Sequence, residues 1–71
     1  MNSNLIVIRI ADVQRLTTLR RSTIYKKLKT DPTFPRPIPL SDSTARGAPI
    51  GFVLGEVIQW IESRISKREV R

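Results

Sequence analysis

The sequence contains no cysteine and no histidine, and among its 71 residues it has one tryptophan and one tyrosine. Without thiolate and imidazole ligands, the chain can form neither a disulfide framework nor the usual zinc sites. It also lacks a histidine general base, a cysteine nucleophile and a pair of carboxylates close together in the sequence. We therefore predict a protein that is not an enzyme and that uses no cofactor and no metal.

Long apolar runs are also missing. The run from Leu5 to Ile8 lacks the basic flank, the length and the small-residue cleavage pattern of a signal peptide, and no stretch approaches a membrane span. We expect a cytoplasmic protein with no membrane partner. The length allows a single domain, residues 1–71, of marginal stability, ordered from about residue 5 to 66. Residues 1–4 are expected to be frayed, and the basic tail to be flexible; that tail contains Lys67, Arg68 and Arg71.

Acidic side chains are scarce, with six Asp and Glu against thirteen Lys and Arg, which gives a net charge of +7. Residues 9–36 hold eight basic and two acidic side chains, whereas residues 37–71 hold five basic and four acidic ones. Such a concentration of positive charge attracts polyanions, of which nucleic acid is the commonest. The first half of the chain is therefore predicted to face the polyanion.

A short first helix is predicted from about Ala11 to Leu16, because Ile10, Val13 and Leu16 recur at helical spacing. An extended segment at residues 5–8 is expected before it. Residues 17–19 include two β-branched threonines of weak helix propensity, which favours a tight connection.

A second helix is predicted to start near Arg21 and to stop before Asp31-Pro32, since proline disfavours a helical predecessor. Ile24 and Leu28 lie four residues apart and are expected to face the core. Two short helices joined by three or four residues form a helix-turn-helix.

The remaining sequence predicts a β-hairpin and a third helix. Residues 34–40 carry three prolines, so they can form only an edge strand. Residues 41–49 are rich in turn-forming residues, and residues 50–53 are predicted to form a second strand that pairs with the first. Helical spacing returns from Leu54, with Trp60 expected to anchor the core. The inner face of this helix is predicted to comprise Leu54, Ile58, Ile61 and Ile65, with Val57 and Trp60 beside it. The predicted fold is mainly α with a small β-hairpin: a winged helix-turn-helix of three helices and a two-stranded wing.

The predicted second helix, about residues 21–29, carries the candidate site. With Ile24 inward, its opposite side presents lysines and hydroxyls, which fit the DNA major groove, while arginines at its start suit phosphates. A solvated charged face is the simpler alternative, but five basic residues between Arg20 and Lys29 have no acidic neighbour. Arg46 lies in the predicted wing, about residues 38–53, and either approaches the backbone or minor groove or is a free loop arginine. The candidate DNA-binding residues are Arg20, Arg21, Ser22, Thr23, Tyr25, Lys26, Lys27, Lys29 and Arg46.

Residues 9–40 resemble the AlpA family of prophage regulatory proteins, through RSTIY at residues 21–25 and FPRPIPL at residues 34–40. The resemblance implies a winged helix-turn-helix related to the MerR and excisionase groups that acts on prophage DNA. It also implies DNA contact by Arg21, Ser22, Thr23, Tyr25 and Lys26.

The chain departs from the family pattern at three places. The family usually has Gly-Leu-Ser where this chain has Thr18-Leu19-Arg20, which removes a permissive glycine and a capping serine. Phe52 stands where the family often has tryptophan, and residues 41–49 are longer than usual.

Three functional hypotheses follow. The first is a sequence-specific, double-stranded-DNA-binding transcriptional regulator of phage or prophage genes, associated with the bacterial nucleoid. The second is an excisionase-like architectural factor that bends DNA, with self-association on DNA and a phage recombinase as further partners. The third is a basic adaptor that binds an acidic protein or an anionic surface.

Overall fold

A computed structural model of the protein describes the structure of residues 5–68. Three helices and the hairpin occur as predicted, and the helix bounds lie close to the expected ones. Residues 1–4, which were expected to be frayed, and the tail residue Arg71 lie outside the described residues, so those expectations stay predictions. The elements are β1 (Val7–Ile8), α1 (Ile10–Thr17), α2 (Arg21–Thr30), β2 (Ile38–Pro39), β3 (Ile50–Val53) and α3 (Leu54–Ser66).

The tight connection between α1 and α2 is confirmed, and Thr17 and Thr18 form it. The Thr17 hydroxyl donates to the Val13 carbonyl oxygen at 2.7 Å and accepts from the Leu19 backbone N–H at 3.3 Å. Thr18 then ends α1 in the left-handed conformation, at φ 62 and ψ 11. Thr18 is thus the first residue of the short connection between α1 and α2.

The sheet has three strands, one more than the predicted two-stranded wing. The central strand β3 pairs antiparallel with β2 through Ile38–Gly51 and Pro39–Ile50, which is the expected hairpin. Its other edge pairs with β1. Pro39 lies on an edge strand, where its missing N–H costs no ladder hydrogen bond.

The core confirms Trp60 as an anchor and adds Phe34, whose side chain is 2% exposed. The two rings meet edge to face, with centroids 4.9 Å apart and planes at 76°. This geometry is a favoured one for aromatic pairs. The buried side chains are Val13, Ile24, Phe34, Phe52, Val57 and Trp60.

The predicted inner face of α3 is partly wrong, since Ile58 and Ile65 are 39% and 51% exposed. The apolar residues of this helix form one broad arc, and the core contacts the edge of that arc that carries Val57 and Trp60, while Ile58 and Ile65 on its other edge stay exposed. The helix begins directly after Val53, the last residue of β3, and the direction of that strand therefore decides which side meets the core. That side carries Val57 and Trp60.

Within residues 5–68, every helix is too short or too polar to span a lipid bilayer. The same residues bring no three acidic side chains together as a group that could hold a metal ion.

Candidate nucleic-acid interface

The solvent-facing side of α2 gathers five of the candidate residues in one stripe, termed here the α2 face: Arg21, Ser22, Tyr25, Lys26 and Lys29, all exposed. They occupy neighbouring positions because residues three and four apart share a side of a helix. Ile24 on the opposite side is fully buried and fixes the rotation of the helix. The structure thus brings these predicted residues together and turns them to solvent.

The N-terminus of α2 has no internal cap. Arg20 at the N-cap is extended and makes no side-chain capping hydrogen bond, and the first turn contains no acidic residue. The first N–H groups of a helix have no intrahelical acceptor, and its N-terminus carries a partial positive charge. Here Arg20 and Arg21 add two guanidinium groups to that charge. Such a terminus is suited to an anion.

No cation of the α2 face forms an ion pair within residues 5–68. Among residues 5–68, the one ion pair joins Arg15 to Asp12 and lies within α1. The cationic groups of the α2 face therefore keep their full attraction for an external polyanion.

Two other candidates, Thr23 and Lys27, lie on the flank of α2 and are half-buried. The Lys27 Nζ lies 5.6 Å from the centroid of the Trp60 ring, a cation–π distance. Its aliphatic stem covers the core while its charge stays near the surface. Lys27 therefore contributes charge beside the α2 face but is not part of it.

Arg36 has a structural role that was not predicted from the sequence. It is one of the eight basic residues in the segment 9–36, which was predicted to face a polyanion. Its guanidinium donates to the carbonyl oxygens of Leu28 and Asp31, the second at 2.8 Å. These contacts satisfy carbonyl groups at the C-terminus of α2, which have no partner within the helix. A signal was present, because the flanking Pro35 and Pro37 restrict the backbone around this arginine.

The turn after α2 is fixed by Asp31. The hydroxyl and the backbone N–H of Thr33 donate to its carboxylate at 2.6 and 2.9 Å. These hydrogen bonds, together with the positive charge of Lys27, hold the pKa of Asp31 below its ordinary value of 3.8. The ionised carboxylate thus stabilises the turn that leads from α2 towards the wing.

The remaining candidate, Arg46, lies at the tip of the wing. The Ala48 N–H donates to the Ala45 carbonyl oxygen at 3.1 Å and closes a β-turn. Gly47 occupies its third position at φ 85, a value that a type II turn requires there. Arg46 takes the second position and is exposed.

These features define a class: a small winged helix-turn-helix protein whose second helix presents an uncompensated cationic face. A family model described as prophage CP4-57 regulatory protein (AlpA) matches residues 6–65. The chain belongs to this family, which is one of regulatory proteins and not of enzymes. No curated protein and no solved structure matches the chain.

Proposed function

We propose that the protein is a sequence-specific DNA-binding regulator of phage or prophage genes and that α2 binds in the major groove. The observation that supports this most directly is the α2 face, an exposed stripe of cations and hydroxyls. Membership of a prophage regulatory family agrees with it. The proposal places the protein at the bacterial nucleoid and gives it no catalytic step.

The dimensions of α2 suit that groove. An α-helix with its side chains is about 10–12 Å across, and the major groove of B-DNA is about 12 Å wide. In this arrangement Lys26 and Arg21 donate to the O6 and N7 acceptors of guanine. Ser22 contacts either base pair, and Tyr25 and Lys29 reach phosphate oxygens.

The uncapped start of α2 and the wing tip supply contacts to the DNA backbone. A phosphate at the α2 N-terminus accepts from free backbone N–H groups and from Arg20, and so relieves the repulsion between the two adjacent guanidinium groups. Arg46 at the wing tip approaches the adjacent backbone or minor groove, where a narrow A·T-rich segment attracts arginine.

Selection of bound duplexes from a random pool tests the proposal, with the affinity of the selected site then measured over a range of salt concentrations. If about five phosphates are neutralised, the logarithm of affinity falls against the logarithm of salt with a slope of about −4 to −5. A pool that yields no preferred motif would contradict specific recognition.

Two adjacent lysines provide matched variants. Lys26→Ala removes a base-contacting group, so we expect a loss of about 1–3 kcal/mol, confined mainly to the selected duplex. Lys27→Ala removes the same charge from the flank, and we expect a smaller loss that is equal on selected and random duplexes. Equal losses for Lys26→Ala on both duplexes would reject its role in base recognition.

The same surface would also serve an excisionase-like architectural factor, so the mode of action needs its own measurement. Altered mobility of circularly permuted fragments, with stepwise cooperative complexes, would assign DNA bending and self-association on DNA. Recruitment of a phage recombinase to such complexes would extend that assignment. Equal saturation by heparin, RNA and any duplex would favour the basic adaptor instead.

A further inference from the structure

A second surface lies in a groove between the C-terminal ends of α1 and α3, termed here the α1–α3 groove. Its volume is about 340 Å³, and within residues 5–68 its lining comes from these two helices and from Arg68, which follows the end of α3. The groove therefore includes no residue of the α2 face or of the wing. The residues that matter for its chemistry are Leu16, Ile61, Arg64, Ile65 and Arg68.

Apolar side chains form the floor of this groove and remain open to solvent. Leu16 is 45% exposed and Ile65 is 51% exposed, while Ile61 is half-buried. Ile61 and Ile65 lie one helical turn apart, so they make a continuous apolar stripe opposite Leu16. Covering this stripe with another apolar surface would remove it from water, which favours association.

Arginines form the rim. Arg64 lies on α3 beside the apolar stripe, Arg68 lies just beyond the C-terminal end of that helix, and both are exposed. No carboxylate from residues 5–68 lines the groove. In the part of the chain that the structure describes, the groove therefore combines an apolar floor with a cationic rim, and its complement is an apolar ridge flanked by carboxylates.

This combination disfavours two other occupants. Symmetric pairing with a second copy would place the arginine rims of both copies together and would be repulsive. A nucleic-acid backbone would satisfy the arginines but would leave the leucine and isoleucine side chains uncovered. An amphipathic helix with apolar residues three and four apart and acidic residues beside them satisfies both parts of the groove.

We propose that the α1–α3 groove binds a short acidic amphipathic helix of a partner protein. Apolar side chains of that helix lie on Leu16, Ile61 and Ile65, and its carboxylates pair with Arg64 and Arg68. This proposal does not rest on DNA binding, because no part of α2 contributes to the groove.

A synthetic helical peptide tests the proposal without knowledge of the natural partner. The probe carries leucines three and four residues apart with flanking glutamates, and its control has the same leucines with lysines in place of the glutamates. Trp60 also lines the groove and is the only tryptophan, so its fluorescence reports binding. We expect saturable binding of the glutamate peptide and at least tenfold weaker binding of the lysine peptide.

Charge-reversal variants locate the site. Arg64→Glu is expected to reverse the preference between the two peptides. Ile65→Ser is expected to weaken binding of the glutamate peptide at least fivefold. Lys67→Glu makes the same type of charge change on a neighbouring residue that does not line the groove, and it should leave the preference intact. All these positions are exposed, and thermal melting followed by circular dichroism checks that each variant remains folded.

Four results would overturn the proposal. These are no saturable binding, equal binding of both peptides, loss of binding with Lys26→Glu as large as with Arg64→Glu, and self-association in sedimentation that Ile65→Ser abolishes. The third result would move the peptide to the α2 face, and the fourth would assign the groove to a second copy. None of them bears on the DNA-selection experiment, so failure here and failure of the proposed function are distinguishable.

Discussion

Thr18 offers a direct test of how the chain turns from α1 into α2. It is the one non-glycine residue with positive φ among residues 5–68, and it is β-branched. The side chain of an L-residue in this conformation crowds the backbone, and β-branched residues rarely adopt it. The AlpA family usually has glycine at this point, so Thr18→Gly restores the residue that this geometry favours.

The expected gain can be worked from two opposing terms. Relief of the left-handed conformation contributes about 1–2 kcal/mol. The greater freedom of glycine in the unfolded chain costs about 0.4–1 kcal/mol. The exposed hydrogen bond from the Thr18 hydroxyl to the Thr17 carbonyl oxygen is also lost. We expect Thr18→Gly to stabilise the fold by roughly 0.5–1 kcal/mol, which raises Tm by about 2–8 °C in a domain of this size.

Thermal melting followed by circular dichroism provides the assay, with two companion variants. Thr18→Ala keeps the Cβ atom and should gain less than Thr18→Gly. Gly47→Ala introduces a Cβ at φ 85, where no atom outside Gly47 and its two chain neighbours lies within 4 Å of the new carbon, so its effect comes from the backbone conformation. We expect Gly47→Ala to lower Tm, in the opposite direction to Thr18→Gly.

The reasoning fails if Thr18→Gly lowers Tm while Gly47→Ala also lowers it. That pair of results would mean that the Thr18 side chain stabilises the turn by more than its backbone conformation costs. An increase in Tm of equal size for Thr18→Ala and Thr18→Gly would likewise place the strain in the branched side chain and not in the left-handed backbone.

Two further predictions concern stability. Phe34→Ala removes a buried ring that contacts Trp60, and we expect it to lower the free energy of unfolding by about 3–5 kcal/mol. For Phe34→Leu we expect less than about 1.5 kcal/mol, with both values measured by urea unfolding monitored through Trp60 fluorescence. Similar losses for both variants would show that the aromatic contact is not tightly packed. The lowered pKa of Asp31 stabilises the fold above pH 3.8, and this contribution is lost as the pH falls through the lower folded-state pKa. Below pH 3.8 we therefore expect Tm to fall more steeply for the unmodified protein than for Asp31→Asn; identical profiles would contradict the role of this carboxylate.

Local signals were sufficient to predict the helix-turn-helix. Helical spacing of apolar residues gave α1 and α2 almost to their observed bounds, and Pro32 explains why α2 ends where it does, since it restricts the residue before it. The exposure of Lys26 and Lys29 also followed from the pattern, because burial of Ile24 leaves the opposite side of a short helix in solvent.

Features that depend on distant contacts were not predictable in the same way. The extended segment predicted at residues 5–8 contains strand β1, but the pairing of β1 with β3, which is distant in the sequence, could not be predicted from local signals. The apolar arc of α3 is wider than the side that is buried, so the sequence could not show that Val57 and Trp60 face the core while Ile58 and Ile65 stay exposed. Arg36 and Lys27 look like any other surface cations in the sequence, yet one caps α2 and the other lies over Trp60.

The starts of the three helices differ in a way that bears on function. Helix α1 has Asp12 in its first turn, where the carboxylate accepts the Arg9 backbone N–H at 3.0 Å, and α3 has Glu56 in its first turn. Helix α2 alone has two arginines and no acidic residue at that end. Charges of the unfavourable sign near a helix terminus cost about 0.3–1 kcal/mol each. In a small domain that cost is a substantial part of the free energy of unfolding. A phosphate bound at this terminus would neutralise the repulsion, and the free energy so released would strengthen phosphate binding. Residues that destabilise the start of one helix, and that have no counterpart in the other two helices, are expected where that helix forms a binding surface.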